Sequence, residues 1–518
     1  MESEESLRSW SSRAVGAPGP GAMFPQPLLD VLASHPDSPA FEHGERIVTC
    51  GEVLDSVRRL VAGFDRAGVG PGAGVAMITS VTPEAFAAHI AAFTVGCRVI
   101  GVPPGYSAAQ RAHVLSADID AVVVDAPTAD VPGRVLSLGP VPGAIDLLSS
   151  GEGAALTVRA LRDDVARLVY TSGSTGLPKG CVQTYHALSV RWAWQPKRWT
   201  PEVAELAACY DRYLLAGTMA SPVIMDHVTL CLLAGGTAVI PTGDLSALLP
   251  RGFQRYRISA AIIPVSRLYR VLDALRTEPV DTSSLKALTV SGSPVSAHRF
   301  AEALDVLGPV LYNAYGQSEA GLISILTPRD VQRLGVDAMT SVGRVHRDVQ
   351  VEIRSTSDGP GQIWVRGPSM MSGYWHDPEC TAEVMREGWL CTRDLGHLDE
   401  NGLLRLAGRT RDVVIVNAQI AYAGPIEDVL SRHADVSEAH VIGTPDDRTG
   451  EAIHAFVVPW GDREPDVAEL ADLVRTELGA ISVPTTITVV RDVPQTVTGK
   501  PDKRALLARE RSNVTGSL

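Results

Sequence analysis

Short apolar runs alternate with longer amphipathic segments along most of the chain. Residues 74–79, 98–102 and 121–125 (AVVVD) are short and almost wholly apolar, which predicts buried strands. Residues 55–67 and 83–93 lie between them and have the apolar spacing of helices. Strands separated by helices indicate βαβ units around a largely parallel sheet. The pattern therefore predicts an α/β fold.

The same alternation continues through the middle of the chain. It predicts helices over 185–194, 228–234 and 266–276, and strands over 235–240, 258–264, 285–291 and 310–314. Ser266 stands at the start of one of these helices and is expected to cap it.

The last hundred residues carry a separate set of elements. Helices are predicted over 425–433 and 466–478, with strands over 439–443 and 453–458 between them. A glycine and four polar residues at 408–412 separate two strand-like runs, which suits a domain boundary. Residues 1–22 are rich in Ser, Gly, Pro and Glu and are expected to form a disordered tail. We expect a large N-terminal domain over 23–408, a hinge at 409–412 and a small, mobile α+β lid domain over 413–518.

Composition narrows the classes of partner. The 518 residues exceed the size of a single core, so two domains are expected. A net charge of −13 argues against nucleic acid or an anionic membrane as a partner. No apolar run approaches the ~18 residues of a membrane span, and the N-terminus lacks the pattern of a signal peptide, so a cytoplasmic location is expected. Seven dispersed cysteines and thirteen histidines show no ligand spacing, and we predict no thiolate or histidine metal site.

One stretch combines a strand with a hydroxyl-rich turn. Leu168, Val169 and Tyr170 predict a buried strand, and Lys179 follows the turn. The turn consists of Thr171, Ser172, Gly173, Ser174, Thr175 and Gly176. Backbone N–H groups, hydroxyls and an ammonium group together suit a polyphosphate. Such composition is also common in surface linkers, but the preceding strand favours phosphate binding.

A second turn follows the strand predicted at 310–314 and reads Tyr315, Gly316, Gln317, Ser318, Glu319. At the carboxyl end of a sheet, these side chains would lie where α/β folds bind ligands. An aromatic face can stack on a purine, a hydroxyl can donate to a phosphate, and a carboxylate can hold Mg²⁺ beside phosphate oxygens. The alternative is an ordinary strand-to-helix turn, with Ser318 as the helix cap.

Three further residues complete a pattern. Asp394 lies within 388–396, Arg409 follows Gly408, and Lys500 ends the run 494–500 (PQTVTGK). Together the five motifs resemble, in order, those of the adenylate-forming enzymes, the superfamily of acyl-CoA synthetases, peptide-synthetase adenylation domains and luciferases. The resemblance covers nearly the whole chain from about Pro27.

The resemblance implies an ATP- and Mg²⁺-dependent ligase. By this resemblance the 171–176 turn and Lys179 hold the phosphates. In the 315–319 turn, Tyr315 beside Gly316 would stack on adenine, Ser318 would contact phosphate and Glu319 would bind Mg²⁺. Asp394 would bind the ribose, Arg409 would contact the nucleotide, and Arg411 or Asp412 would lie at the pivot. Lys500 would act in catalysis on the substrate carboxylate and α-phosphate. Glu319 and Lys500 are thus the predicted catalytic pair.

The implied reaction joins a carboxylic acid to AMP, releases pyrophosphate and passes the acyl group to a thiol of CoA or of a carrier-protein phosphopantetheine. Asn417 and Ala418 stand where the family has glycines beside the thiol tunnel, and Ala423 replaces a usual proline. Side chains at those positions would crowd a thiol. Transfer to an amine is therefore an alternative.

The acid pocket is predicted by analogy of position. Its walls are Met219, Ser221, Ser291, Gly292, Ser293, Asn313 and Ala314. These residues are small or medium-sized and uncharged, which favours an aryl or medium-chain acyl acid over an amino acid. A nucleotide-binding module without turnover is the remaining alternative, although such a module has no use for Lys500.

Overall fold

The computed structural model describes residues 23–149, 153–171, 178–243, 248–355, 360–410, 413–416, 419–446, 448–496, 500–503 and 505–509. The predicted tail at 1–22 lies outside these ranges, as do residues 172–177, 411–412 and 417–418.

In chain order, the described strands are β1 (Pro39–His43), β2 (Arg46–Thr49), β3 (Gly74–Ile78), β4 (Arg98–Gly101), β5 (Ala121–Val124), β6 (Arg134–Ser137), β7 (Ile145–Asp146), β8 (Val165–Thr171), β9 (Lys179–Thr184), β10 (Arg212–Leu214), β11 (Thr237–Ile240), β12 (Ala260–Pro264), β13 (Ala287–Ser291), β14 (Leu311–Gln317), β15 (Gly321–Leu326), β16 (Arg344–Val345), β17 (Gln350–Arg354), β18 (Gly361–Arg366), β19 (Gly373–Tyr374), β20 (Met385–Arg386), β21 (Trp389–Leu398), β22 (Leu404–Arg409), β23 (Val413–Val416), β24 (Gln419–Tyr422), β25 (Val436–Asp446), β26 (Gly450–Pro459) and β27 (Thr486–Val489).

The α-helices of the same ranges are α1 (Gln26–Ser34), α2 (Cys50–Arg66), α3 (Pro83–Thr94), α4 (Ala108–Leu115), α5 (Tyr185–Ser189), α6 (Pro201–Ala207), α7 (Pro222–Leu233), α8 (Arg251–Arg255), α9 (Val265–Thr277), α10 (Ala297–Leu307), α11 (Pro328–Leu334), α12 (Pro378–Val384), α13 (Ala423–Ser431) and α14 (Val467–Leu478).

Two large sheets form the body of the N-terminal domain. One has the strand order β19-β9-β8-β4-β3-β5-β6-β7, and the other β16-β15-β14-β13-β12-β10-β11-β1-β2. Their central strands run parallel, while β9 and β15 pair antiparallel with their neighbours. The predicted α/β class is confirmed.

The main core includes α2, α3 and α7 together with residues of both large sheets. In α3, every residue from 85 to 94 is buried, so this helix is apolar all round. In contrast, α2 is amphipathic and begins with a capping box in which Thr49 and Glu52 satisfy each other's backbone N–H groups.

Two smaller sheets complete the fold. An antiparallel sheet of β17, β18, β21, β20 and β22 follows the large sheets, and β23 to β27 form the sheet of the C-terminal domain. That last sheet packs with α13 and α14 around its own core. Within the described part of the chain, no helix is long and apolar enough to cross a membrane.

Four local predictions were wrong. The helix predicted at 185–194 is α5 followed by a 3-10 turn at Trp192–Trp194. Ser266 is buried within the first turn of α9, whose N-cap is Pro264, so Ser266 is not the N-cap. The break at 408–412 begins later, because β22 runs to Arg409.

The fourth error concerns the turn predicted at 315–319. Tyr315 to Gln317 still belong to β14, which forms an antiparallel hairpin with β15. The hairpin closes tightly because Gly316 has no side chain: a Cβ there would lie 2.3 Å from the carbonyl oxygen of Gly321. No helix follows the turn, so Ser318 is not a helix cap.

Candidate active site

A buried carboxylate organises one end of the site. Asp394 on β21 is 4% exposed. Its Oδ2 accepts hydrogen bonds from the Tyr315 hydroxyl at 2.6 Å and Gln317 Nε2 at 2.7 Å, and its Oδ1 accepts one from Arg409 Nε at 2.9 Å. β21 and β22 pair Asp394 directly opposite Arg409. Three residues predicted for nucleotide binding, Tyr315, Asp394 and Arg409, therefore meet at one point.

Tyr315 is largely enclosed by its neighbours. The residue is 9% exposed and packs in the core cluster that contains Val169 and Ile363. Burial, followed by the charge of Asp394, raises the pKa of the Tyr315 hydroxyl well above its ordinary value. The hydroxyl thus stays protonated and donates to Asp394.

Glu319 lies beyond the hairpin turn. Its Oε1 accepts a hydrogen bond from the Tyr374 hydroxyl at 3.0 Å, and its backbone carbonyl accepts one from the N–H of Met371. The neighbouring Ser318 presents its carbonyl to Gln183 Nε2 at 3.2 Å. Burial, together with Glu319, raises the pKa of Tyr374, which keeps this donor protonated as well.

Lys179 opens β9 opposite Thr171, the last residue of β8. Its ammonium group lies 2.6 Å from Cys380 Sγ, 4.0 Å from Asp377 and 5.4 Å from the centroid of the Tyr374 ring. Tyr374 thus links the Lys179 and Glu319 sides of the site. Ser172, Gly173, Ser174, Thr175 and Gly176 lie outside the described residues.

Lys500 reaches this region from the C-terminal domain. Its Cε would lie 3.8 Å from a Cβ placed on Gly292, which has a φ of +99°. Lys500 is exposed as a whole residue, yet protein atoms around its ammonium group desolvate it and lower the pKa of Lys500. The nearby charge of Arg409 also lowers it, while Asp394 and Glu319 oppose the shift. Both predicted catalytic residues therefore lie within electrostatic reach of each other.

The predicted pocket residues lie at one sheet edge. Ser291 ends β13 and precedes Gly292 and Ser293, while Asn313 and Ala314 lie on the neighbouring strand β14. The segment with Met219 and Ser221 follows β10, which pairs with β12. Carboxyl ends of parallel strands meet at the same edge, so these segments face one region.

Three of these side chains have structural contacts. Met219 is 3% exposed and belongs to the main core, and the buried Asn313 donates to the carbonyl of Ser341 at 3.4 Å. Ser221 caps α7 by accepting from the N–H of Ile224.

A buried ionic cluster, which the sequence pattern did not reveal, contacts the β14–β15 hairpin through Gln183. Asp226 on α7 accepts hydrogen bonds from Arg191 Nε at 2.7 Å and Trp194 Nε1 at 2.8 Å. Arg167 on β8 donates to Gln183 at 2.5 Å, and Gln183 in turn holds Ser318. Burial lowers the pKa of Arg167 to about 9. Gln317 belongs to the 315–319 motif but had no predicted role, and Tyr374 was not among the predicted site residues.

Family models match both domains. The model described as AMP-binding enzyme matches residues 29–375, and the model described as AMP-binding enzyme C-terminal domain matches residues 425–500. The chain belongs to the AMP-binding enzyme family. The resemblance inferred from the five motifs is thereby confirmed.

Relatives within this family carry different names. A feruloyl-CoA synthase of Amycolatopsis sp is 30% identical over 480 residues, covering 90% of this chain and 94% of the relative. A medium/long-chain-fatty-acid–CoA ligase of Mycobacterium tuberculosis is 28% identical over 521 residues, covering 93% and 89%. The solved structure of the amide bond synthetase McbA from Marinactinospora thermotolerans is 33% identical, with a TM-score of 0.81, covering 92% of this chain and 98% of McbA.

A Mg²⁺ ion at this site would need ligands from the substrate as well as from the protein. Among the described residues, no group of three or more His, Cys, Asp or Glu side chains could hold a metal by itself. Mg²⁺ needs no such cage, because it is commonly held by one or two carboxylates together with substrate phosphates. Glu319 could supply one such carboxylate, so the residues present are compatible with Mg²⁺.

Proposed function

We propose that this enzyme activates an aryl or medium-chain acyl carboxylic acid with ATP, forming an acyl-adenylate and releasing pyrophosphate, and then transfers the acyl group to a thiol. The observation that carries this proposal is the convergence of Lys500 with Asp394, Glu319 and Arg409 beside Gly292. A nucleotide-binding module without turnover would not need a lysine brought there from the C-terminal domain.

The chemical problem is one of charge. A carboxylate oxygen attacks the α-phosphorus of ATP, a new P–O bond forms, and the bond to pyrophosphate breaks. Both reactants are anionic, so cationic groups aimed at the developing charge lower the barrier. In our proposal Lys500 lies at the α-phosphate and substrate carboxylate, and Lys179 lies at the leaving phosphates. Mg²⁺ bound by Glu319 would neutralise phosphate charge.

Nucleotide binding is assigned to the Asp394 cluster. The carboxylate would accept hydrogen bonds from the ribose hydroxyls, with Tyr315 and Gln317 fixing its orientation. Arg409 lies opposite Asp394 and would contact the nucleotide from the last strand before the boundary between the domains.

For the acceptor, CoA or a carrier-protein phosphopantetheine is the first candidate. The relatives named as CoA ligases support it. An amine is the second candidate, and two observations favour it. Asn417 and Ala418 replace the family's glycines, and a solved amide bond synthetase is 33% identical to this chain.

A pyrophosphate-release screen over aryl and medium-chain acids tests both steps. Each acid is assayed with ATP alone, with CoA, and with hydroxylamine as the amine probe. Turnover that rises strongly with CoA supports the thiol ligase, whereas turnover accelerated only by the amine supports the amide synthetase. No pyrophosphate release with any acid would contradict adenylation itself.

Lys500→Ala separates an enzyme from a binder. Loss of this lysine should lower pyrophosphate release by about a hundredfold or more while ATP binding, measured by calorimetry, persists. Lys286→Ala is the matched control, because Lys286 is an exposed lysine paired with Asp211 and should be dispensable. Unchanged turnover in Lys500→Ala would refute the catalytic assignment.

A further inference from the structure

The two domains also meet through a tryptophan outside the candidate active site. Trp460 follows β26 in the C-terminal domain, and two guanidinium groups of the N-terminal domain lie over its ring. Arg276 Cζ is 3.4 Å from the ring centroid and Arg299 Cζ is 4.2 Å from it. The arginines belong to α9 and α10, so one aromatic ring contacts two helices of the other domain.

Arg299 is held rigidly for this contact. It is 1% exposed, and its Nη1 lies 2.8 Å from Asp273 and 2.9 Å from Glu302. Its Nη2 donates a 2.8 Å hydrogen bond to the hydroxyl of Ser437 on β25. Charge-assisted hydrogen bonds and cation–π contacts strengthen when water is excluded. Arg299 therefore joins both domains through a directional, buried contact.

Arg276 contacts the same Trp460 ring and is the more exposed of the two arginines. Its guanidinium pairs with Glu302 at 2.6 Å, so one carboxylate holds both arginines against Trp460. The carboxylate also offsets the repulsion between the two cations. Glu302 thus holds both guanidinium groups in place over the indole ring.

Trp460 and Lys500 belong to one folded unit. The backbone N–H of Trp460 donates to the backbone carbonyl of Asp435 at 2.8 Å, and β25 and β26 pair along most of their length. β26 also pairs with β27, which precedes the segment that ends at Lys500. Beyond Lys500, Leu506 is fully buried against Phe456 of β26. Moving Trp460 relative to α9 and α10 would therefore move Lys500 relative to Gly292.

We propose that Arg276, Arg299, Ser437 and Trp460 form a latch that positions Lys500 for adenylate formation. Trp460 is then a positioning residue that acts through Lys500. This proposal rests on the proposed function and adds to it a device that sets the geometry of the first half-reaction.

Trp460→Ala removes the ring and should lower kcat for pyrophosphate release about tenfold, since a desolvated cation–π contact is worth enough for that change. ATP binding should stay the same, because the Asp394 cluster is untouched. Trp460→Phe keeps an aromatic face and should recover most of the rate. Trp389→Ala is the matched control, because Trp389 stacks with Arg366 at 4.7 Å wholly within the N-terminal domain.

A double variant distinguishes positioning from general stability. If Trp460 acts through Lys500, then adding Trp460→Ala to Lys500→Ala should cause no further loss of rate. A further tenfold loss in the double variant would overturn the latch, as would full activity of Trp460→Ala or an equal loss in Trp389→Ala. Failure of the wild-type enzyme to adenylate any acid would instead refute the proposed function, before the variants are compared.

Discussion

Asp394→Asn is the substitution whose effect can be worked out most completely. It keeps the shape of the side chain but replaces a carboxylate by an amide, which has one acceptor oxygen. In the structure, Oδ2 accepts from Tyr315 and Gln317 while Oδ1 accepts from Arg409. An asparagine can satisfy only one of these two sides, and its NH₂ group must face donors on the other.

The cost to stability should be modest. Losing a hydrogen bond to a charged group typically costs about 1.5–3 kcal/mol. The Arg409 side chain is 55% exposed, so its share is screened by solvent. We expect the free energy of unfolding to fall by about 1–3 kcal/mol. Thermal or urea unfolding measures this directly.

The cost to nucleotide binding should be of similar size in free energy. Our proposal gives the ribose hydroxyls a charged acceptor, and losing it should raise the Kd for ATP roughly 10- to 100-fold. The decisive assay compares ATP with 2′,3′-dideoxy-ATP. The wild type should prefer ATP by that factor, whereas Asp394→Asn should bind both nucleotides about equally.

Asp399→Asn is the matched control, because Asp399 is also a partly buried carboxylate paired with an arginine, Arg405. It should lose stability without losing the preference for ATP. If Asp394→Asn keeps the full preference for the ribose hydroxyls, the assignment of Asp394 to the ribose is refuted.

Two further predictions concern the catalytic lysine and the acid pocket. The lowered pKa of Lys500 means that its ammonium form, and with it kcat/KM for ATP, should be lost as pH rises, at a lower pH than for an ordinary lysine. Lys500→Arg should move that loss to higher pH because guanidinium does not titrate there, and an unchanged pH profile would contradict the role of Lys500. Gly101→Ala should raise KM for the acid, because a Cβ on Gly101 would lie 2.6 Å from Cα of Ala220, between Met219 and Ser221. Gly70→Ala is the control for the KM of ATP and of the acid, since Gly70 has no positive φ and no atom lies within 4 Å of the added Cβ. An unchanged acid KM in Gly101→Ala would argue against this segment as a pocket wall.

The sequence pattern was sufficient to predict an element where the apolar character of a few consecutive residues decides its structure. The strand β5, with sequence AVVV, and the apolar helix α3 are buried on all sides, so composition and length alone identify them. The site motifs were found because each keeps its chemical groups within a few consecutive residues. The break predicted at 408–412 begins later in the structure, because β22 continues to Arg409.

Long-range packing explains what the pattern missed. The 315–319 segment was predicted as a turn, but the absence of a side chain at Gly316 permits the close pairing with Gly321 that continues the strand. Tyr374 and Gln317 acquire partners only when β19 and β21 are brought beside the hairpin. Trp460 lies in a sequence that gives no hint of Arg276 or Arg299, because those arginines belong to helices of the other domain.

Arg409 connects the Asp394 cluster electrostatically with Lys500. The same guanidinium that pairs with Asp394 at 2.9 Å also contributes to lowering the pKa of Lys500. A triphosphate placed between them would add negative charge, which favours the ammonium form and opposes the effect of Arg409. The pKa of Lys500 would thus be lower in the free enzyme and would rise when ATP binds, so that more of the lysine is protonated. Under our proposal, the substrate itself completes the electrostatic environment that adenylation requires.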